Sequence, residues 1–131
     1  MKKIVFIALL SISYISFSQK KHKGKEPSGR AIYTQYCLAC HQEDGSGVPN
    51  MNPPLRKSDW VLGDKTKLIN VVLNGLDEEI EVNGDTYHGV MASHAFLNDK
   101  QIASVLTFIR ANFDNKADAI KPEEVKALRK K

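Results

Sequence analysis

Cysteine and histidine converge at one point of this chain. Cys37-Leu38-Ala39-Cys40-His41 reads C-x-x-C-H, and the 131-residue sequence holds only these two cysteines. This spacing is the attachment sequence for a c-type haem. Two thiols three residues apart on one helical turn can each add to one vinyl group of a porphyrin. The residue that follows then lies close under the iron, where its imidazole becomes the proximal ligand. A haem held by two covalent bonds cannot dissociate, and it gives a short chain a large apolar plate to pack around.

Three other uses of the same residues compete with this one. A thioredoxin-like redox pair would sit beside a strand followed by a helix; nothing around Cys37 has that pattern, and His41 would be left without a role. A structural zinc site wants four ligands. Cys37, Cys40, His41 and a distant His88 or His94 could supply them, but a second closely spaced ligand pair is missing. A Cys37–Cys40 disulfide would close a very short loop and gain little from chain entropy.

The N-terminus points to export. Lys2 and Lys3 precede a mostly apolar stretch from Ile4 to Phe17, and Ser16 and Ser18 are small residues placed for a cut before Gln19. Residues 1–18 therefore read as a secretory signal peptide. The alternative is an uncleaved anchor, although the stretch falls short of the about 20 residues a spanning helix needs. No cysteine follows it, so a lipid-modified N-terminus is unsupported. What remains has the length of one small domain, which buries little surface and gains from a staple such as haem.

Charge is uneven within a formal net charge of +4. Lys20, Lys21, Lys23 and Lys25 crowd residues 19–27, and Arg129, Lys130 and Lys131 end the chain. Between them Asp77, Glu78, Glu79, Glu81 and Asp85 make the body acidic. The basic ends read as solvated and disordered; a weak hold on anionic lipid or an acidic partner is the functional alternative. No basic stripe carries interleaved aromatics, which excludes a nucleic-acid module.

The rest of the chain reads as helices and loops. Ser28 predicts an N-cap, with Ile32, Tyr33, Tyr36 and Cys37 following at helical spacing up to the C-x-x-C-H. Glycine and proline at Gly45, Gly47, Pro49, Pro53 and Pro54 make 42–55 a loop. A middle helix is expected over about 66–76, with Asp64 at its cap and Asn74-Gly75 at its end. Asn83-Gly84 between Ile80, Val82 and Tyr87 predicts a small hairpin. The last main helix begins at Asn98 or Asp99, and Ile102, Val105, Leu106, Ile109 and Phe113 form its apolar face. Residues 116–131 read as a tail with a short helix from Pro122, since proline suits the first turn and Glu123 and Glu124 suit the dipole.

With these segments in order, the chain resembles the class I cytochrome c family over roughly residues 28–113. Gly29-Arg30-Ala31-Ile32-Tyr33 leading to the C-x-x-C-H is similar to the family's opening. Asp44-Gly45-Ser46-Gly47, Asn52-Pro53-Pro54-Leu55 and Tyr87-His88-Gly89-Val90-Met91 resemble its next segments, and 97–113 its C-terminal helix. The resemblance implies an all-α fold, roughly three to five short helices wrapped around one covalently bound haem c, with 28–115 as the domain.

The resemblance also implies roles. Gly29 lets the first helix cross the last closely, and Tyr33 packs near Phe108. His41 binds iron while its other ring N–H needs an acceptor, which the family finds in a backbone carbonyl of the proline loop; Pro53 or Pro54 matches, with Pro54 taken as the haem-side residue. Met91 is the expected sixth ligand. Met51 lies close to the proximal segment, on the wrong side, and His88 or His94 would give bis-histidine ligation instead. Many relatives read Met-Pro, whereas this chain has Met91-Ala92, which should loosen the loop. Trp60 is expected against the haem edge, with core packing as the alternative. Arg56 is expected on a propionate, with solvent exposure as the alternative.

A haem closed by His41 and Met91 has no position for substrate. The expected function is an exported, periplasmic, monomeric single-haem carrier rather than an enzyme, passing electrons from a dehydrogenase or respiratory complex to an oxidase or reductase. The alternatives are a haem enzyme or gas or redox sensor with a labile sixth ligand, and a cytochrome subunit of a larger complex.

Overall fold

The computed structural model describes residues 24–129. The expected signal peptide, the first lysines of the basic segment, and Lys130 and Lys131 lie outside these residues.

Ser28 starts α1 (Gly29–Tyr36) by accepting a hydrogen bond from the Ala31 N–H at 3.2 Å, which satisfies one donor the helix leaves free. The chain passes through Cys37 into a single further turn, α2 (Leu38–His41). The Cys37 carbonyl accepts from the His41 N–H at 2.9 Å, so both cysteines and the histidine share one turn. Gln42, with φ 66°, ends the run.

A second single turn, α3 (Asp59–Leu62), is capped by Ser58. From sequence this stretch shows only as residues following the proline loop, because four residues are too few to display a helical period. Asp64 caps α4 (Lys65–Asn74), accepting from Thr66 N–H at 2.7 Å, and Gly75 stops it. The expected hairpin is present. Strand β1 (Ile80–Val82) pairs antiparallel with β2 (Asp85–Tyr87), Ile80 opposite Tyr87. Asn83 and Gly84 turn it, both with positive φ (54° and 86°), the geometry that matches the strands' own twist.

A capping box between Asn98 and Gln101 opens α5 (Asp99–Ala111). Its buried face is Ile102, Ala103, Val105, Leu106 and Ile109. Phe113 does not belong to that face. The helix stops short of it, and Phe113 has φ 57°; its ring then turns back onto Tyr33 and Phe108, with centroids 5.0 and 5.7 Å away. Helices α1 and α5 cross closely at Gly29. A Cβ there would fall on the Ser104 carbonyl oxygen and come within 2.8 Å of Phe108 Cβ, so the residue must be glycine.

The C-terminal segment is part of the body. Helix α6 (Pro122–Leu128) starts with proline in its first turn, as expected, but it packs on α4 and α5 with Val125 0% exposed. The link from α5 is sewn down as well. Ile120 N–H donates to Thr107 Oγ1 at 3.0 Å. Arg110, 4% exposed, donates from Nε to Asp118 O at 2.7 Å and from Nη1 to the Val61 and Gly63 carbonyls. Six helical segments therefore order the described residues, two of them single turns. None is long and apolar enough to cross a membrane.

Candidate functional site

The helices enclose a largely apolar cavity of about 280 Å³. Cys37 at the α1–α2 junction and Cys40 and His41 from α2 line it, with Pro53 and Pro54 from the loop, Trp60 from α3, and Met91 from the segment after the hairpin. The remaining wall is mostly aliphatic, including Leu68, Val72, Leu97 and Leu106. Six of the seven residues singled out from the sequence thus face one space.

His41 is buried, and its Nδ1 lies 3.0 Å from the Pro53 carbonyl oxygen. A carbonyl can only accept, so Nδ1 carries the proton and Nε2 keeps the lone pair a metal needs. Burial lowers the pKa of this imidazole, which the Pro53 bond partly opposes; the neighbouring His94 lowers it further. The acceptor is therefore Pro53, not Pro54. Pro54 is the next residue along the loop and contributes to the cavity wall.

Cys37 is partly buried and Cys40 is exposed. Burial, then the adjacent Cys40, pushes the Cys37 thiol up to about 11. Among the described residues Cys37 lies between two helices, α1 and α2, with no strand before it, so the strand-then-helix setting of a thioredoxin-like pair is absent. Among the described residues no group of three or more His, Cys, Asp or Glu side chains converges on a common point, which leaves the zinc alternative without a ligand set.

Met91 is fixed by backbone. Its N–H donates to Leu76 O at 2.8 Å and its carbonyl accepts from Leu76 N–H at 2.9 Å. Ser93 Oγ donates to Leu73 O at 2.5 Å and His94 N–H to Val72 O at 2.9 Å. These acceptors are carbonyls at the C-terminal end of α4, which a helix cannot satisfy itself. The segment supplies that helix end with partners and takes its own position from it. Gly75 makes the approach feasible, because a Cβ there would overlap the Met91 carbonyl oxygen. The helix end at Asn74-Gly75 was legible in the sequence; its partnership with Met91 was not.

The other candidates separate. Met51 is 56% exposed and does not line the cavity. His88 is exposed, its Nδ1 3.2 Å from Glu79 Oε2. His94 does line the cavity, and its Nδ1 is buried without a partner. Trp60 reaches the cavity while its Nε1 donates to Glu81 O at 2.8 Å, and Lys67 Nζ lies 3.2 Å over its ring. Arg56 is not on the wall. Its Nε and Nη2 both bind Asp114 Oδ2, the first at 2.9 Å, a carboxylate 58 positions later in sequence that local reading could not pair with it. That bond and the guanidinium charge lower the Asp114 pKa. Asn115 lies past the end of α5. It is buried, donates to Leu55 O and Ile109 O at 2.9 Å each, and accepts from Lys57 N–H, tying the proline loop to α5.

The donor set is two thiols on one turn, an imidazole with a free lone pair, and a thioether on an apolar wall. This set fits a covalently held haem, and the fold with its site defines a small helical haem-binding domain. The comparisons agree. The family model described as Cytochrome c matches residues 27–113. Cytochrome c-552 of Thermus thermophilus is 42% identical over 115 residues, covering 81% of this chain and 87% of that protein. The Gluconate 2-dehydrogenase cytochrome c subunit of Pantoea cypripedii is 34% identical, covering 79% of this chain but 24% of its own length. The Alcohol dehydrogenase (quinone), cytochrome c subunit, of Gluconobacter oxydans (strain 621H) is 29% identical, covering 81% and 23%. The chain belongs to the cytochrome c family. It is a c-type cytochrome of electron transfer, and its cofactor is covalently attached haem c.

Proposed function

We propose that this chain is an exported single-haem electron carrier in which Cys37 and Cys40 hold the porphyrin and His41 and Met91 ligate the iron. Haem c, when bound, supplies a one-electron ferric/ferrous couple. The observation that carries the ligand assignment is the pairing of a Pro53-oriented imidazole with a backbone-pinned methionine on one apolar cavity. The Pro53 bond holds the His41 ring at one angle and strengthens its lone pair. Met91 offers a neutral thioether, which favours the ferrous state more than imidazole does and raises the potential. With both residues engaged, a bound haem iron would have no open position for a substrate, which supports a carrier over a catalyst. The aliphatic wall keeps water away and lets the charge change with little rearrangement.

Electrons need an entry point. Tyr36 and Val90 line the cavity and reach solvent, and Phe96, 65% exposed, stacks edge-on against Tyr36 with centroids 5.2 Å apart. This apolar rim suits brief docking of a redox protein, since such contacts are small. The names of the longer relatives support a dehydrogenase as donor, and an oxidase or reductase as acceptor completes the chain. Export follows from the N-terminal pattern Lys2-Lys3 with an apolar run, and a periplasmic location from where haem is attached in bacteria.

The test is the visible spectrum of the oxidised, haem-loaded protein with and without Met91→Ala. The wild type should show the methionine–iron charge-transfer band in the red and bind cyanide slowly. Met91→Ala should lose the band, lower the potential and bind cyanide quickly. An unchanged potential in that variant would give the ligand role to another residue, His94 first.

A further inference from the structure

We propose that Arg129, at the end of α6, is a positioning residue for the Met91 segment, clamping the backbone between Met91 and α5 and so slowing detachment of the sixth ligand. The inference rests on the reading of Met91 as that ligand.

The backbone bonds to α4 stop at His94. Beyond them the chain still has to reach α5, and the next carbonyls are taken by one side chain. Arg129 Nη1 donates to Ala95 O at 2.8 Å, Nη2 to Leu97 O at 2.7 Å, and Nε to Asp99 Oδ1 at 2.7 Å. Three donors of one planar fork thus meet residues 95, 97 and 99 in alternation. A guanidinium can do this because its donors sit on three nitrogens fixed in one plane; an ammonium's three donors radiate from a single atom and do not match that spread. The Arg129 and Asp99 side chains are 29% and 28% exposed; the bonds to Leu97 and Asp99 are partly shielded from competing water, and the one to Ala95 is exposed.

Ala92 makes the clamp consequential. Proline at that position would fix φ; alanine leaves the residue after Met91 free, so stiffness must come from bonds outside the segment. Leu76, Leu73 and Val72 hold its first half, and Arg129 holds its second. For Met91 to leave the iron, the segment must lift as a local unit, an opening whose free energy is set by the bonds that break with it. Arg129 lies beyond the family-matched residues 27–113, on the C-terminal helix. Lys65, which donates to Ala119 O at 2.7 Å and pairs with Glu124 at 3.4 Å, holds the other end of that arm.

The test compares full-length, haem-loaded wild type with Arg129→Gln, Arg129→Lys and Ile32→Val. Readouts are the cyanide association rate of the oxidised protein, the pH at which the red band is lost, and hydrogen exchange of the His94 amide. Arg129→Gln should raise the cyanide rate about tenfold and bring the band's loss to lower pH, with faster exchange at His94. Arg129→Lys should recover only part of this, because charge is kept and the fork is lost. Ile32→Val trims a buried methyl from α1 and lowers global stability without touching the clamp; it should leave the cyanide rate near wild type. A rate in Arg129→Gln within about twofold of wild type, or an equal rise in Ile32→Val, overturns the clamp. If the wild type itself lacks the band and Met91→Ala changes nothing, the ligand reading has failed and takes the clamp with it. A wild-type band with an indifferent Arg129→Gln refutes the clamp alone.

Discussion

Replacing Gly75 with alanine should unseat Met91 from a distance, and its cost can be worked out in parts. Gly75 has φ 78° and ψ −176°, a region open to glycine and few others, so a side chain there stores about 1–3 kcal/mol of strain. The new Cβ would overlap the Met91 carbonyl oxygen and approach Ser93 N at 2.9 Å and Ala92 C at 3.1 Å. These neighbours are backbone and cannot rotate away, so overpacking adds about 1–3 kcal/mol. Relief by displacement would break the two Leu76–Met91 hydrogen bonds, at about 1 kcal/mol each. Gly75→Ala should therefore lose about 2–6 kcal/mol, a large share of the about 5–15 kcal/mol a domain has. Gly84→Ala is the control. Its φ is 86°, but a Cβ there meets nothing within 4 Å, so it should lose only about 1 kcal/mol. Urea midpoints of the two haem-loaded variants measure the difference, and the red absorption band reports whether Met91 has moved. Equal losses in the two variants, with the band intact in Gly75→Ala, would refute the idea that the end of α4 seats the ligand.

Two more outcomes follow from side chains away from the cavity. Arg110→Met keeps the stem but removes donors from three carbonyls, at Val61, Gly63 and Asp118; leaving these unpaired at a 4% exposed position should cost at least about 3 kcal/mol by urea unfolding, and a loss under about 1 kcal/mol would show that water replaces the guanidinium. The Arg56 guanidinium holds the Asp114 carboxyl below its ordinary value. A group with a depressed folded pKa contributes stability above its unfolded pKa and loses it as pH falls through the folded one. The melting-temperature gap between wild type and Asp114→Asn should therefore be small, because the pair is exposed, largest near neutral pH, and closed in strong acid. A gap independent of pH would remove Asp114 from the acid limb.

The contribution of Arg110 and Arg129 changes how the C-terminus is understood. Read along the chain, 116–131 is polar and ends in a basic run, the composition of a solvated tail. In the folded protein Ile120 and Val125 are buried, and main-chain carbonyls from α3, the Met91 segment and the 116–121 link are gathered by two arginines. One of the segment's own charges, Arg129, helps attach it, and Arg110 of α5 holds the link from outside, because guanidinium donors find carbonyl oxygens left unpaired.

The sequence by itself determined what depends on near neighbours. The haem attachment turn needs only three residues at fixed spacing, the α5 face only a period, the hairpin only Asn83-Gly84, and the caps at Ser28, Asp64 and Asn98 only a side chain within one turn of its helix. Tertiary structure decided what joins distant residues: the Pro53 rather than Pro54 carbonyl behind His41, Asp114 as the partner of Arg56, Phe113 folded back onto Tyr33, and the two-sided seating of Met91 by α4 and Arg129. Local geometry is written into the order of residues, whereas a hydrogen bond between segments tens of residues apart is chosen only when packing brings one donor, and not its neighbour, within reach.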